Sequence, residues 1–225
     1  MIRSEFEERF WRACNSWVAG FRLNCSGRET LHNIPMPTTK AAPSIYELKI
    51  TLLDIEPRIW RHIQVPSAVQ LCCLHDAFQV AMGWTDSHLH QFEKDGKIWG
   101  DPRNDEFGEF NIIDEGRTTL NKALKLEGDS MIYLYDFGDN WRQEVLLEKI
   151  VSVEGTTNRP VCLGGERRCP PEDVGGAYGY SEFLEAIFDP THRDYDQFVH
   201  WAGGHFQAEE FDVRAVNQPT AHQTN

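Results

Sequence analysis

No stretch of the 225-residue chain approaches the roughly 18 to 20 consecutive apolar residues that a membrane-spanning helix requires. Basic residues are also scarce: the formal net charge of −13 would repel phosphate backbones, which disfavours nucleic acid as a partner. No secretory signal precedes the six cysteines, so we predict reduced thiols and a cytoplasmic location. Together these absences predict a soluble protein with no membrane partner.

Several common active-site signatures are missing as well. The sequence has no Gly-x-Ser-x-Gly nucleophile elbow, no phosphate-binding loop with its lysine, no dinucleotide fingerprint after a strand and no His-Glu-x-x-His pair. Cys162 and Cys169 lie seven residues apart, but no second pair of cysteines or histidines at zinc-finger spacing accompanies them. These motifs therefore predict no cofactor and no common hydrolase, nucleotide-binding or metalloprotease mechanism.

The composition is that of one folded domain with tails. Hydrophobic residues make up 40% and aromatic residues 12% of the chain, which is enough for a single packed core at this length. The polar run around Met36 is typical of a flexible leader over residues 1–42, and we hypothesise that Met36 is the natural start and 1–35 an upstream extension. The domain is expected over 43–217, and 218–225 should form a disordered tail.

Alternating apolar and polar residues predict most of the strands. Residues 46–52 and 59–65 alternate in this way, which indicates two half-buried strands or one bent strand. The pair Asp95-Gly96 between extended runs is the signal of a type I′ hairpin. A second hairpin is expected from the extended runs 131–136 and 141–151, because the residues between them tolerate the positive φ of a turn.

Helices are predicted after these strands rather than between parallel ones. Residues 67–70 read Ser-x-x-Gln, a capping box, and apolar residues follow at helical spacing over 71–82. The segment 159–180 is predicted to be a Pro/Gly/Cys-rich loop, with a short helix from Ser181 and another capped by 191–194, which read Thr-x-x-Asp. Hairpins followed by helices predict an α+β fold, with a mostly antiparallel sheet built from hairpins and helices packed on one face.

The segment Tyr-Asp-Phe-Gly-Asp-Asn-Trp carries the first candidate site. Asp136 and Asp139 flank a tight turn, and two clustered carboxylates could hold a divalent cation or act as an acid/base pair. The alternative interpretation is structural: the two carboxylates accept backbone N–H bonds that fix the turn, while Tyr135 and Trp141 pack around it. The sequence leaves both interpretations open.

A second candidate site is the loop that follows Cys169. Pro170-Pro171 stiffens this loop, Glu172 and Asp173 precede glycines that permit close backbone approach, and Tyr178 and Tyr180 would anchor it. A rigid loop of this kind either covers the sheet or forms a recognition surface. Tyr135, Asp136, Asp139, Trp141, Glu172, Asp173, Tyr178 and Tyr180 are thus the candidate binding residues.

His88 and His90 form the third candidate. Their i, i+2 spacing in an extended segment could direct two imidazoles toward one metal ion, alone or with Asp136 and Asp139. Exposed polar histidines near Asp86 are the alternative. A His-x-His pair by itself is a weak signal for a metal site. We therefore predict no cofactor, with a bound divalent cation as the alternative.

The order of these motifs resembles the plasmid pRiA4b ORF-3-like family, whose members are also described as TnpR, an insertion-element passenger protein. The resemblance is carried by IYELKITLLDIEPRIWRHIQVP, MGW, HLHQF, YLYDFGDNW and CPPEDVGGAYGY, and it covers roughly residues 43–217. It implies an α+β domain with a mostly antiparallel sheet and genes that travel on plasmids and transposable elements. It implies no established reaction.

Two positions depart from the family's pattern. Where relatives commonly carry a histidine two residues after the motif tryptophan, this chain has Gln143, and where they commonly carry a cysteine after Cys-Pro-Pro-Glu-Asp, it has Val174. Both departures remove a potential zinc ligand. A hard cation on Asp136, Asp139 and Glu172 would survive them.

The function predicted from the sequence is a non-catalytic accessory domain associated with mobile elements, which binds a protein or a small ligand. One alternative is DNA binding by a transposable-element protein, which would need a contiguous basic face. The other is a metal-dependent hydrolase or nuclease. Its candidate residues are Asp136, Asp139, Glu172 and Asp173, with His88 or His90.

Overall fold

The computed structural model describes residues 44–105, 108–152 and 159–218. The predictions of a flexible leader over 1–42 and of a start at Met36 lie outside these residues, as does all but the first residue of the predicted tail. Among the described segments, none of the helices has both the length and the apolar character needed to cross a membrane.

The centre of the fold is an eight-stranded sheet, counted over the described residues. Its spatial order is β5-β4-β3-β6-β7-β1-β2-β8, and every neighbouring pair is antiparallel except β4 and β5. This confirms the predicted α+β class with a mostly antiparallel sheet. The strands are β1 (Ser44–Leu52), β2 (Trp60–Pro66), β3 (His90–Lys94), β4 (Lys97–Gly100), β5 (Ile113–Asp114), β6 (Ser130–Tyr135), β7 (Trp141–Ser152) and β8 (Val161–Glu166).

Both predicted hairpins form. Asp95 and Gly96 connect β3 to β4 with φ values of 49° and 73°, as a type I′ turn requires. The second hairpin pairs β6 with β7, and Asp136 and Asn140 take φ values of 56° and 57° at the two ends of its turn. Short polar side chains adopt this left-handed backbone more readily than most residues, so the turn follows from its sequence.

Five α-helices accompany the sheet in the described residues, and two of them are longer than three turns. The five are α1 (Leu71–Met82), α2 (Leu120–Ala123), α3 (Gly176–Phe188), α4 (Tyr195–Trp201) and α5 (Val213–Asn217), with single 3₁₀ turns at Pro102–Asn104 and Glu115–Arg117. Helix α1 ends at Gly83, whose φ of 83° is the left-handed conformation common just past a helix end.

The capping predictions for two helices are wrong. Gln70 precedes α1 without a side-chain capping bond, and the Ser67 hydroxyl accepts instead from Ser44 on the neighbouring strand at 2.8 Å. Before α4, Asp194 makes no capping bond, and the Thr191 hydroxyl donates to Asp189 at 2.6 Å. In both cases another partner binds the hydroxyl that the local pattern had assigned to the helix.

The predicted loop over 159–180 contains regular structure. Its first part is the edge strand β8, which pairs with β2, and its last part is the start of α3, which begins at Gly176 rather than at Ser181. The strand carries Gly164-Gly165, so it lacks the alternating pattern that marks a strand in sequence. A Cβ on Gly165 would lie 2.7 Å from the Trp60 carbonyl oxygen, which explains a glycine at this position.

One face of the sheet forms the core. On β1 and β7 the pairs Leu48–Leu147 and Ile50–Val145 lie side by side on it and are fully buried. Helix α1 packs over this face, and the ring of Phe78 meets Tyr133 edge-on at a centroid distance of 5.1 Å. The opposite face carries polar side chains, including a contact between His62 and Glu148 at 3.3 Å.

Arg61 is a charged residue in the core and is 2% exposed. Its guanidinium donates to four backbone carbonyls and to the sulfur of Cys169. The carbonyls belong to Trp60, Ala81, Glu166 and Arg167. Five contacts from five N–H groups tie α1, β2 and β8 together, and they explain why an arginine is tolerated at this depth.

Candidate functional site

The turn between β6 and β7 is held by Asp136. Its Oδ1 accepts the backbone N–H of Gly138 at 2.9 Å and that of Asp139 at 3.3 Å, and its carbonyl accepts from Asn140 at 2.7 Å. The structural interpretation of Asp136 is thus confirmed for this oxygen. Its second oxygen, Oδ2, takes no part in these bonds.

Asp139 joins this turn to the loop that follows Cys169. Its Oδ2 accepts from the backbone N–H of Gly175 at 3.1 Å. The approach is close, because a Cβ built on Gly176 would lie 2.5 Å from the Asp139 carbonyl oxygen. We call this contact between Asp139 and Gly175-Gly176 the turn–loop junction. It brings the two motifs of the sequence together on one surface.

Glu172 attaches the same loop to the core. One carboxylate oxygen accepts from the hydroxyl of Tyr135, and the other accepts from the hydroxyl of Thr85 and from its backbone N–H at 3.1 Å. Burial and the hydrogen bond to Glu172 raise the pKa of Tyr135. Trp84 stacks on Tyr135 at 5.0 Å and donates its indole N–H to the Pro170 carbonyl at 2.9 Å. Both oxygens of Glu172 therefore have structural partners.

The three remaining aromatic candidate residues lie in different parts of the fold. Trp141 is 2% exposed and lies 6.1 Å from the ring of Trp84, in the core. Tyr180 is equally buried on α3, where it packs against Phe183, and burial raises its pKa to about 12. Tyr178 is 76% exposed, one turn from Glu182, and a hydrogen bond to that carboxylate raises its pKa. Of these, Tyr178 alone presents its side chain to solvent.

His88 meets two of the predicted carboxylates. Its Nε2 lies 3.6 Å from Oδ2 of Asp136 and 3.2 Å from Oδ1 of Asp173. These three atoms lie within 4.8 Å of one another, which is close enough for one metal ion to bind all three. The ring of His88 also contacts Tyr135 edge-on at 5.8 Å. Asp139 is outside this group, since its carboxylate is directed at Gly175.

A second group is built around His75, which the sequence analysis did not single out. Four hydrogen bonds form a closed ring: the Asp86 N–H donates to Gln79 Oε1 at 3.0 Å, and Gln79 Nε2 donates to the Tyr133 hydroxyl at 3.0 Å. That hydroxyl lies 2.6 Å from Nδ1 of His75, and His75 Nε2 lies 2.8 Å from Asp86 Oδ1.

The ring determines the tautomer of His75. Because the backbone of Asp86 fixes the Gln79 amide, Tyr133 accepts from Gln79 and its own proton is directed to Nδ1 of His75. The imidazole proton is then on Nε2 and is donated to Asp86. Burial, and then the neighbouring His90, lower the pKa of His75 to about 4, so the ring is neutral at neutral pH.

His90 lies flat against His75, at a centroid distance of 3.5 Å and an interplanar angle of 3°. Its Nε2 contacts Glu115 Oε2 at 2.9 Å. His75, Asp86 and His90 also present ligand atoms within 4.8 Å of one another. The structure therefore does not direct His88 and His90 toward one metal ion. Each histidine belongs to a different group of potential metal ligands.

A signal for the second group was present in the sequence. His75 and Gln79 lie one helical turn apart on α1, among the apolar residues that face the core. Polar side chains on a buried helix face must find hydrogen-bond partners, which marks them as members of a network. Their partners come from β6 and from the segment after α1, so the sequence could not name them.

A cleft of about 910 Å³ opens beside these groups and includes His75, His88 and His90 in its wall. Its charged lining has five carboxylates and two arginines: Asp76, Asp86, Asp101, Asp114, Glu115, Arg103 and Arg117. Each arginine pairs with an aspartate, Arg103 with Asp101 and Arg117 with Asp114. The remaining carboxylates give the cleft a negative character.

Gln143 is fully buried on β7, beside Tyr133 of β6 and Leu52 of β1. Neither its Oε1 nor its Nε2 has a hydrogen-bond partner among the described residues. It belongs to neither group of potential metal ligands. Val174, the other departure from the family pattern, is partly buried against the hydrophobic core.

The comparisons with known proteins agree with this fold. The family described as plasmid pRiA4b ORF-3-like protein matches residues 44–215, and the chain belongs to that family. The uncharacterized protein y4hQ of Sinorhizobium fredii is 39% identical over 175 residues, which are 77% of this chain and 87% of y4hQ. The crystal structure of MM3350, a protein of unknown function from Methanosarcina mazei, matches with a TM-score of 0.71 and 37% identity, over 79% of this chain and all of that one.

Proposed function

We propose that this member of the pRiA4b ORF-3-like family is a non-catalytic binding module, whose cleft beside His75 and His90 takes a small, positively charged ligand or a basic side chain of a partner protein. The observation that carries the proposal is the cleft itself. It has room for a ligand, and three more carboxylates than arginines line it. A cation entering such a cleft gains Coulomb energy, whereas a phosphate would be repelled.

The wall of the cleft is preorganised. The closed ring of hydrogen bonds holds His75, and the stacked ring of His90 is held against it by Glu115. A rigid wall loses little conformational entropy when a ligand binds, which favours affinity. Because both nitrogens of His75 are engaged in the ring, this histidine is poorly placed to transfer protons to a substrate.

The carboxylates of the two sequence motifs support a non-catalytic role. Asp136 Oδ1 holds its own turn, Asp139 binds Gly175, and Glu172 binds Thr85 and Tyr135. A hydrolase that used these acids would need them directed at a common substrate position. Instead, most of their oxygens stabilise the turn and the loop, which become a rigid frame next to the cleft.

The rest of the proposal concerns partners and genetic context. The negative cleft and the net charge of −13 favour a protein or a small cation over nucleic acid. The resemblance to passenger proteins of insertion elements adds an accessory role in a mobile element. The alternative, a metal-dependent hydrolase, is favoured by one observation, the convergence of His88, Asp136 and Asp173.

Titration with spermidine, followed by calorimetry, tests the cleft. We expect saturable binding that Glu115→Gln weakens about tenfold, since one charge at close range is worth about 1 kcal/mol or more. Glu148→Gln is the matched control, because Glu148 also contacts a histidine, His62, but on the opposite face of the sheet. Equal affinity of both variants for spermidine would exclude the cleft as the binding site.

Turnover assays separate the two functions. We expect no hydrolysis of p-nitrophenyl phosphate, bis-p-nitrophenyl phosphate or p-nitrophenyl acetate above background, with or without added zinc or manganese. If the protein shows saturable turnover and Asp173→Asn abolishes it, the binding-module proposal is wrong and the metal-dependent hydrolase alternative is supported.

A further inference from the structure

We propose that His88, Asp136 and Asp173 form a binding site for a divalent transition-metal ion, with zinc as the expected ion. The three ligands come from the approach to β3, from the β6–β7 turn and from the loop after Cys169. The site does not depend on a ligand in the cleft, so it stands or falls separately from the binding function proposed above.

The distances between the three ligand atoms are compatible with one shared metal ion. Four ligands placed tetrahedrally around zinc at bond lengths of about 2.0–2.2 Å are about 3.3–3.6 Å apart. His88 Nε2 is 3.2 Å from the Asp173 oxygen and 3.6 Å from the Asp136 oxygen, at or near this range. The longer distance exceeds that of an N–H···O hydrogen bond.

The imidazole nitrogen is the second observation. His88 Nε2 is shielded from solvent and makes no hydrogen bond to any of the described residues. The nitrogen lies between two carboxylate oxygens, 3.2 Å from Asp173 and 3.6 Å from Asp136, without a hydrogen bond to either, and this placement needs a reason. Binding of a cation by the nitrogen and both oxygens supplies one.

The turn presents Asp136 as a metal ligand. Its Oδ1 is fixed by the N–H groups of Gly138 and Asp139, and Oδ2 is left on the side of His88. Hydrogen bonds to the non-coordinating oxygen are what orient ligating carboxylates in metal sites. The side chain is 10% exposed, so its position is set by packing as well as by the turn.

The chemistry of the ligands selects the ion. One imidazole nitrogen and two carboxylate oxygens suit zinc, whereas calcium takes six to eight oxygens and magnesium an octahedron of oxygens. The Asp173 side chain is 72% exposed, so solvent reaches the site from that side. Three protein ligands with solvent access leave a fourth position for water or for a group of a partner.

Metal binding by the untagged, full-length protein tests the site, after dialysis against a chelator. We expect one equivalent of zinc to bind in calorimetry, and one equivalent of cobalt(II) to give visible bands of a site with nitrogen and oxygen ligands. Asp173→Asn should weaken zinc binding at least about 100-fold, because loss of a ligand exceeds the effect of losing an outer hydrogen bond.

Asp95→Asn is the matched control. Asp95 is likewise an exposed aspartate with left-handed backbone, at φ 49° against 61° for Asp173, and asparagine suits that conformation. We expect wild-type zinc affinity for Asp95→Asn and loss of binding for His88→Gln. Asp136 is left unchanged because it also holds the turn.

Three results would overturn the proposal. The first is the absence of stoichiometric zinc binding by the wild-type protein. The second is equal affinity of Asp173→Asn and Asp95→Asn. The third is evidence that the metal binds elsewhere in the chain. Such evidence would be zinc binding that His90→Gln abolishes and His88→Gln does not, or a thiolate charge-transfer band with cobalt.

Discussion

Replacing Gly176 with alanine tests whether the turn–loop junction is the rigid contact that holds Asp136 and Asp173 in place at the proposed metal site. Gly176 has a φ of 69°, and its missing Cβ would lie 2.5 Å from the Asp139 carbonyl oxygen. An L-residue in the left-handed region costs about 1–2 kcal/mol. Relief of the clash requires the loop to move away from the turn, which also removes the charged hydrogen bond from Gly175 to Asp139, worth about 1.5–3 kcal/mol.

The expected loss for Gly176→Ala is therefore about 3–5 kcal/mol of unfolding free energy. Gly96→Ala is the control, because Gly96 has a similar φ of 73° but nothing within 4 Å of the added Cβ. It should cost about 1–2 kcal/mol. For a domain of this size, each kcal/mol lowers the melting temperature by roughly 2–4 °C, so the variants should differ by several degrees.

Urea unfolding followed by circular dichroism measures both free energies, and thermal unfolding provides the check. If the two variants lose the same stability, the backbone conformation accounts for the whole effect. The turn and the loop would then not be in close contact, and the rigid frame inferred for the site would be wrong.

Three further predictions concern the interior. The pKa of His75 is about 4 in the folded state against 6.5 unfolded, so its contribution to stability is complete above pH 6.5 and is lost as the pH falls toward 4, by about 3 kcal/mol; an NMR titration of the His75 ring should show a midpoint near 4. Gln143→Met should raise the unfolding free energy by about 1 kcal/mol, because a buried amide without partners is replaced by an apolar chain of similar length; a fall in melting temperature would contradict this. Arg61→Lys should lose about 3 kcal/mol or more in urea unfolding, since an ammonium group cannot replace five contacts to carbonyls and sulfur.

The parts of the fold that sequence predicted are those set by local patterns. Alternation located β1 and β2, and Asp95-Gly96 located a hairpin, because side-chain period and turn conformation are properties of neighbouring residues. Capping boxes failed at Ser67 and Thr191, where Ser44 and Asp189 bound to the hydroxyl in question. A cap competes with every other partner within reach, and the sequence does not show those partners.

The candidate site was predictable only in part for the same reason. Asp136 and Asp173 stood in motifs and were chosen, and the structure brings them to His88. His75 was not chosen, since its partner Tyr133 is 58 residues away on another element. Pairing of side chains across such a separation is set by the register of β3 and β6 and by the packing of α1, neither of which local patterns specify.

The number of aspartates in this chain is therefore a poor guide to chemistry. Five of them adopt left-handed backbone in the described residues, namely Asp54, Asp86, Asp95, Asp136 and Asp173. Aspartate is suited to that conformation, so an acidic turn needs no catalytic explanation. What distinguishes Asp136 is that the turn uses one oxygen and leaves the other beside an imidazole nitrogen without a hydrogen-bond partner among the described residues. The functional inference rests on that second oxygen and on its neighbour His88, and not on the density of negative charge.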